Sequence, residues 1–108
     1  MGATQKRVEL ALNVYTIEFT PAAARQLRKL PRQVQSQLSP VVDALALDPR
    51  PHGAIKLTDV TFAGNEMVAK GTALYRLRSG DYRIIYTLED QQLVVVVVSV
   101  ADRKEVYR

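Results

Sequence analysis

Hydrophobic and polar positions alternate from Asn13 to Phe19. Tyr15, Ile17 and Phe19 fall on one side, and Val14, Thr16 and Glu18 on the other. A period of two predicts a strand with one buried face. The period changes at Thr20-Pro21. Threonine is a good helix N-cap and proline suits the first helical position; Ala23, Leu27 and Leu30 then follow at helical spacing. Pro31 ends this first helix near Leu30, because proline lacks the amide that the helix ladder needs. A second helical pattern runs through Val34, Leu38, Val41, Val42 and Leu45, and Asp48-Pro49-Arg50-Pro51 ends it. Pro40 lies inside this pattern and predicts a kink, or a restart capped by Ser39. The short connection predicts that the two helices form an antiparallel pair.

The last third returns to strand patterning. Ala73 to Arg78 reads as a strand, Ser79-Gly80 as a turn and Asp81 to Leu88 as a second strand. Glu89 to Gln92 makes another turn. Leu93 to Val100 is apolar on both faces, which predicts a central strand. Residues 52–73 carry less pattern: Gly53, Gly64 and Gly71 punctuate them, Lys56-Leu57 suits a short extended piece, and 58–71 reads as a long loop. Residues 1–12 have no clear period and read as an arm or short lead-in to a single domain over 13–108. The expected fold is α+β, two N-terminal helices packed on a mainly antiparallel sheet in the order β-α-α-β-β-β.

Composition narrows the chemistry. The chain of 108 residues contains no cysteine, which excludes disulfides, thiolate metal sites and a cysteine nucleophile. A His-based metal site or a Ser/His/Asp triad would rest on His52 alone, which argues against both. No apolar stretch reaches the ~18 residues that span a bilayer, and the first residues lack the apolar core of a signal peptide. We therefore expect a cytoplasmic protein without metal or cofactor. Fifteen Lys and Arg against eleven Asp and Glu give a net charge of +4, which suits a polyanionic partner. Arg25, Arg28, Lys29 and Arg32 lie on the outer faces of the helices, where a solvated face explains them.

The charges on the hairpin are harder to explain by folding alone. With Ser79-Gly80 as a two-residue turn, Arg78 faces Asp81, Leu77 faces Tyr82 and Arg76 faces Arg83. Tyr75, Leu77, Tyr82, Ile84 and Tyr86 then form a core-facing surface. Leu74, Arg76, Arg78, Asp81, Arg83 and Ile85 share the other face. Like charges directly opposite each other destabilise a sheet by a few tenths of a kcal/mol. Either the arginine stems cover apolar surface on a solvated face, or an anion sits among the guanidinium groups, whose planar fork matches phosphate. Arg103, Lys104, Tyr107 and Arg108 follow the central strand directly. If that strand neighbours the hairpin, it delivers Arg103 and Tyr107 to the arginine end of the sheet. A tyrosine there can lose its proton more readily or stack on a base.

At these residues the sequence resembles the RelE/ParE superfamily of bacterial toxin–antitoxin toxins. The block Tyr75-Arg76-Leu77-Arg78-Ser79-Gly80-Asp81-Tyr82-Arg83-Ile84-Ile85-Tyr86 carries most of the resemblance. Leu27-Arg28-Lys29-Leu30, Asp48-Pro49-Arg50, Lys56-Leu57 and Arg103-Lys104-Glu105-Val106-Tyr107 support it. The resemblance implies one of two activities: ribosome-dependent cleavage of mRNA in the A site, as in RelE-like members, or non-nuclease inhibition of DNA gyrase, as in ParE-like members. A decayed toxin that only binds its antitoxin is a third reading. The ending Arg103…Tyr107 is similar to the RelE branch. There Arg83 matches the arginine on the scissile phosphate, and Arg76 stands where relatives place a catalytic lysine.

The resemblance further implies that Arg76, Arg83, Arg103 and Tyr107 form the catalytic set, with Arg78, Lys56, Lys104 and Arg108 along the RNA. The implied partners are a cognate antitoxin, the ribosome and mRNA. In such a reaction the 2′-OH of RNA attacks the adjacent phosphorus in line and needs no metal. Arginine stays protonated and is a poor base, so Tyr107 is the candidate base. The chain departs from the family pattern at three places. Leu74 stands where relatives carry a second hairpin lysine, Thr58 where some carry an arginine, and Ala101-Asp102-Arg103 where many read Gly-His-Arg.

Overall fold

The computed structural model describes residues 14–57 and 73–102. The expected arm at 1–12, the loop at 58–71 and the C-terminal residues 103–108 lie outside the described residues. The described chain forms β1 (Thr16–Phe19), α1 (Pro21–Lys29), α2 (Arg32–Ala44), β2 (Ile55–Leu57), β3 (Leu74–Ser79), β4 (Tyr82–Glu89) and β5 (Val94–Asp102). The five strands form one sheet in the order β1-β5-β4-β3-β2. All pairs are antiparallel except β1 with β5. The architecture is the expected α+β, with one more strand: the extended piece at Lys56-Leu57 pairs as β2 on the sheet edge.

Local chemistry sets the helix ends. Thr20 Oγ1 accepts the Ala23 amide at 3.1 Å, with Pro21 at the first helical position. The α1 ladder ends at Lys29, one residue before the Leu30-Pro31 junction. Helix α2 corrects one expectation. It runs unbroken from Arg32 to Ala44 through Pro40, so Ser39 caps nothing and lies inside the helix. Proline removes a single amide bond, while Leu38, Val42 and Leu45 on either side are 0–3% exposed and anchor both halves.

The helices share one face of the sheet. Ala23, Leu38, Val42 and Leu45 pack with Leu77, Ile84, Tyr86, Val95, Val97 and Val100 in a single core. Full burial of each larger side chain contributes about 1.5–3 kcal/mol. Tyr15 and Ile17 pack against this core as expected, but Phe19, at the end of β1, stays partly exposed. A smaller cluster of Leu74, Ile85 and Val98 sits on the opposite face with Leu57 and Val96. A β-bulge in β5 allows this division. Ile85 pairs with Ser99 while Tyr86 pairs with Val97, so Val98 is the extra residue. The bulge turns Val97 and Val100 to the helices and Val98 to the other side.

Candidate functional site: an arginine-bearing hairpin face

The hairpin turn is Gly80-Asp81, one residue later than the sequence suggests. Ser79 pairs with Tyr82, Arg78 with Arg83, Leu77 with Ile84 and Arg76 with Ile85. Gly80 takes φ 58° while Asp81 does not enter the left-handed region, the sign pattern of a type II′ turn, which requires glycine first. Strand β3 gains Ser79 and β4 gives up Asp81, a register shift of two residues, so the expected faces survive while the partners change. Arg78 faces Arg83 rather than Asp81, and Arg76 becomes Arg83's diagonal neighbour. The side chain of Gln37, from α2, backs the turn. Its Nε2 donates to Ser79 Oγ at 3.4 Å and lies 2.8 Å from where a Cβ on Gly80 would sit.

Arg76, Arg78 and Arg83 therefore occupy the sheet face away from the helices. Arg78 is exposed and Arg76 half-buried. Arg83 is only 7% exposed, so its charge is largely withdrawn from water, a costly placement that needs compensation. The Nε atoms of Arg76 and Arg83 are both buried. Side chains of directly opposed residues start about 5 Å apart at Cβ, so Arg78 and Arg83 concentrate two positive charges beside the turn. A cavity of about 30 Å³ is lined by Arg78, Gly80, Asp81, Tyr82 and Arg83. It has room for one small oxygen-bearing group of water size. This arrangement can hold and polarise an oxyanion with donors fixed by a sheet, the form of preorganised charge that stabilises a phosphoryl transition state.

Lys56 is not brought to this cluster. It pairs with Tyr75, whose face packs on the helices, whereas Ile55 pairs with Arg76 and lies on the arginine face. Arg103, Lys104, Tyr107 and Arg108 lie outside the described residues. Strand β5 does neighbour the hairpin. Ala101 pairs with Arg83 and Asp102 with Tyr82, so the described chain ends beside the arginines, one residue before Arg103. Among the described residues no three His, Asp or Glu side chains converge as a metal site, and no helix is long and apolar enough to cross a membrane.

A second polar cluster lies at the far end of the sheet. Arg50 donates to both carboxylate oxygens of Asp90, at 3.2 and 2.7 Å, and Tyr15 donates to Asp90 at 2.7 Å. Arg50 Nε also donates to the Tyr75 hydroxyl at 3.2 Å. The Arg50 and Tyr15 hydrogen bonds hold the Asp90 carboxyl below the usual carboxylate range. Tyr75 stacks on Tyr86 at 5.6 Å between centroids. Tyr86 donates to the Pro49 carbonyl at 2.8 Å, and burial pushes its phenol up to about 12. These contacts tie loops together, remote from the arginines. No local pattern signals these contacts, nor Gln37's part in the turn, because each joins residues far apart in the chain.

The family model of the ParE toxin of type II toxin–antitoxin systems matches residues 17–107. Toxin RelG of Mycobacterium tuberculosis is 29% identical over 94 residues, covering 87% of this chain and 97% of RelG. The RelBE2 toxin–antitoxin complex of Mycobacterium tuberculosis contains a chain that superposes with a TM-score of 0.65 at 26% identity, covering 85% of this chain and 94% of that one. The archaeal RelE–RelB complex of Pyrococcus horikoshii gives a TM-score of 0.66 at 24% identity, covering 85% and 98%, a likeness of fold.

Proposed function

Because the chain belongs to the ParE toxin family of type II toxin–antitoxin systems, we propose that it acts as an endoribonuclease on mRNA being decoded by the ribosome. The observation that carries this reading is the pairing of Arg78 with Arg83 across the hairpin, with Arg76 diagonal to them, on the sheet face that the helices leave free. Folding gains nothing from opposed like charges. A phosphodiester bound between them supplies a counter-charge whose geometry the planar guanidinium forks fit.

In the reaction the 2′-oxygen forms a bond to phosphorus as the bond from phosphorus to the 5′-oxygen breaks. The 2′ proton goes to a base and a second proton goes to the leaving 5′-oxygen. The products are a 2′,3′-cyclic phosphate and a 5′-hydroxyl end. Arg83 and Arg76 hold the non-bridging oxygens, Arg78 binds the flanking backbone, and Arg103 assists the leaving oxygen. Tyr107 serves as the base once neighbouring arginines lower its pKa. Lys104 and Arg108 add charge along the RNA. Lys56 has no part at the scissile phosphate. The partner that restrains the toxin is a cognate antitoxin, a role supported by the RelBE2 complex of the mycobacterial relative. An acidic segment that folds on binding suits a chain of net charge +4.

Primer extension on a translated mRNA, with purified protein and ribosomes, tests this. Wild type cuts within translated codons, and Arg83→Ala lowers cleavage by at least about a hundredfold, the usual scale for removing one transition-state donor. Undiminished cleavage by Arg83→Ala overturns the assignment. A second reading, gyrase inhibition, is favoured by the family model's own ParE character and by Leu74 and Asp102 standing where nuclease members carry Lys and His. Gyrase-dependent DNA breaks without mRNA cuts support that reading instead.

A further inference from the structure

Strand β5 outruns its neighbour β1. Pairing between them covers Val94 to Val97 and stops where the chain leaves the sheet at Thr20 to enter α1. Residues 98, 100 and 102 alternate toward that side. The N-cap Thr20 and helix α1 take the place of the missing strand. The Thr20 amide donates to the Val97 carbonyl at 2.9 Å, and the Thr20 hydroxyl donates to the Val98 carbonyl at 3.4 Å. Gln26, on the same helix, accepts the Val100 amide through Oε1 at 2.8 Å. Val100 is 1% exposed, so its amide has no bulk water to fall back on. Beyond this bond a groove of about 500 Å³ opens, lined by Gln26, Lys29, Leu30, Tyr82, Val100, Ala101 and Asp102. Past Gln26, therefore, the strand pairing of β5 among the described residues is with β4, and the groove lies on its other side.

We infer that Gln26 is a positioning residue: its bond to Val100 fixes the end of β5 against β4, and so sets the backbone on which Arg83 is seated. The next residue, Ala101, pairs directly with Arg83. Chain direction then carries β5 through Asp102 toward Arg103. Without Gln26 the Val100 amide loses its partner on the α1 side, and the last residues of β5 are held less firmly against β4. They fray, and the strand under Arg83 loses its register. The catalytic consequence rests on the nuclease reading above; the structural one does not. Errors of about 1 Å in placement cost up to about a hundredfold in rate, so the effect falls on turnover rather than on substrate capture.

The test uses the full chain in three forms: wild type, Gln26→Leu and Gln26→Glu. Leucine fills similar volume without an acceptor, and a carboxylate still accepts the amide. Exchange of the Val100 amide, followed by NMR, speeds up about tenfold in Gln26→Leu, the scale of one lost hydrogen bond. It stays at the wild-type rate in Gln26→Glu, and the Val42 amide is unchanged in all three. For mRNA cleavage on ribosomes, kcat falls about tenfold in Gln26→Leu with KM nearly constant, and Gln26→Glu restores it. Unchanged Val100 exchange in Gln26→Leu overturns the inference, as does a Gln26→Glu chain as defective as Gln26→Leu. Absence of cleavage by wild type overturns the nuclease reading alone, and the exchange rates then decide the role of Gln26 by themselves.

Discussion

Gly80 shows how much one residue fixes at this site. Its φ of 58° is open to glycine and costly for other residues, and Gln37 Nε2 occupies the space a Cβ would enter. Gly80→Ala should destabilise the fold by about 1–2 kcal/mol, mostly through the left-handed backbone. Adding Gln37→Ala removes the steric part and leaves the backbone part, so the double variant should recover only a small fraction. Thermal or urea unfolding of the two variants checks this, and wild-type stability in Gly80→Ala would show that the turn does not need glycine. At this scale the sequence is legible where the chemistry is local. Thr20 caps α1 over three residues and can be read directly. Gln37 meets Ser79 across 42 residues and Gln26 meets Val100 across 74. Neither has a sequence signal, since both look like ordinary polar positions on a helix.

At the scale of elements, alternation determines faces but not register. Moving the turn from Ser79-Gly80 to Gly80-Asp81 lengthens β3 by one residue at the turn and shortens β4 by one. Tyr75, Leu77, Ile84 and Tyr86 keep the core face, and the arginines keep the other. Only the partner of each arginine changes; the local signal that separates the two turns is the need of a type II′ turn for glycine first, which Gly80-Asp81 meets and Ser79-Gly80 does not. The Arg50–Asp90 pair, by contrast, is illegible: it joins the loop before β2 to the β4–β5 turn, which only the folded sheet brings together. Its contribution can be read from pH. The Asp90 carboxyl titrates below its unfolded value of about 3.9. Its stabilisation is therefore complete above that value and is lost as pH falls through the lower, folded-state value. Both partners are about half exposed, so solvent screening limits the effect to under about 1 kcal/mol. Asp90→Asn should lower stability slightly at neutral pH and flatten the loss between about pH 4 and the acid transition. Parallel acid titrations of the two proteins, followed by denaturant unfolding, measure the difference; identical slopes would show that the pair is energetically silent.

Across the whole molecule the two faces of one sheet carry different residues. One face carries Leu77, Ile84, Tyr86 and Val100 into the helical core, and the other carries Arg76, Arg78 and Arg83. Ile84 and Arg83 are adjacent in sequence, both nearly inaccessible to solvent, and on opposite faces of the sheet. Alternate substitutions along β3 and β4 should therefore separate stability from activity. Ile84→Ala leaves a cavity in a fully buried site and should cost about 2–5 kcal/mol. Arg78→Gln removes one of two opposed charges, so stability should stay within about 0.5 kcal/mol of wild type and rise if it moves at all. The same variant should bind single-stranded RNA more weakly and reduce the slope of log affinity against log salt by about 0.7, the counterion share of one phosphate contact. Arg83→Met keeps the apolar stem that covers the sheet and should stay folded while losing cleavage. Denaturant unfolding beside RNA binding at several salt concentrations gives both axes for each variant. If Arg78→Gln destabilised the chain as much as Ile84→Ala while leaving the salt slope intact, the arginines would be part of the scaffold and the phosphate site would have to lie elsewhere.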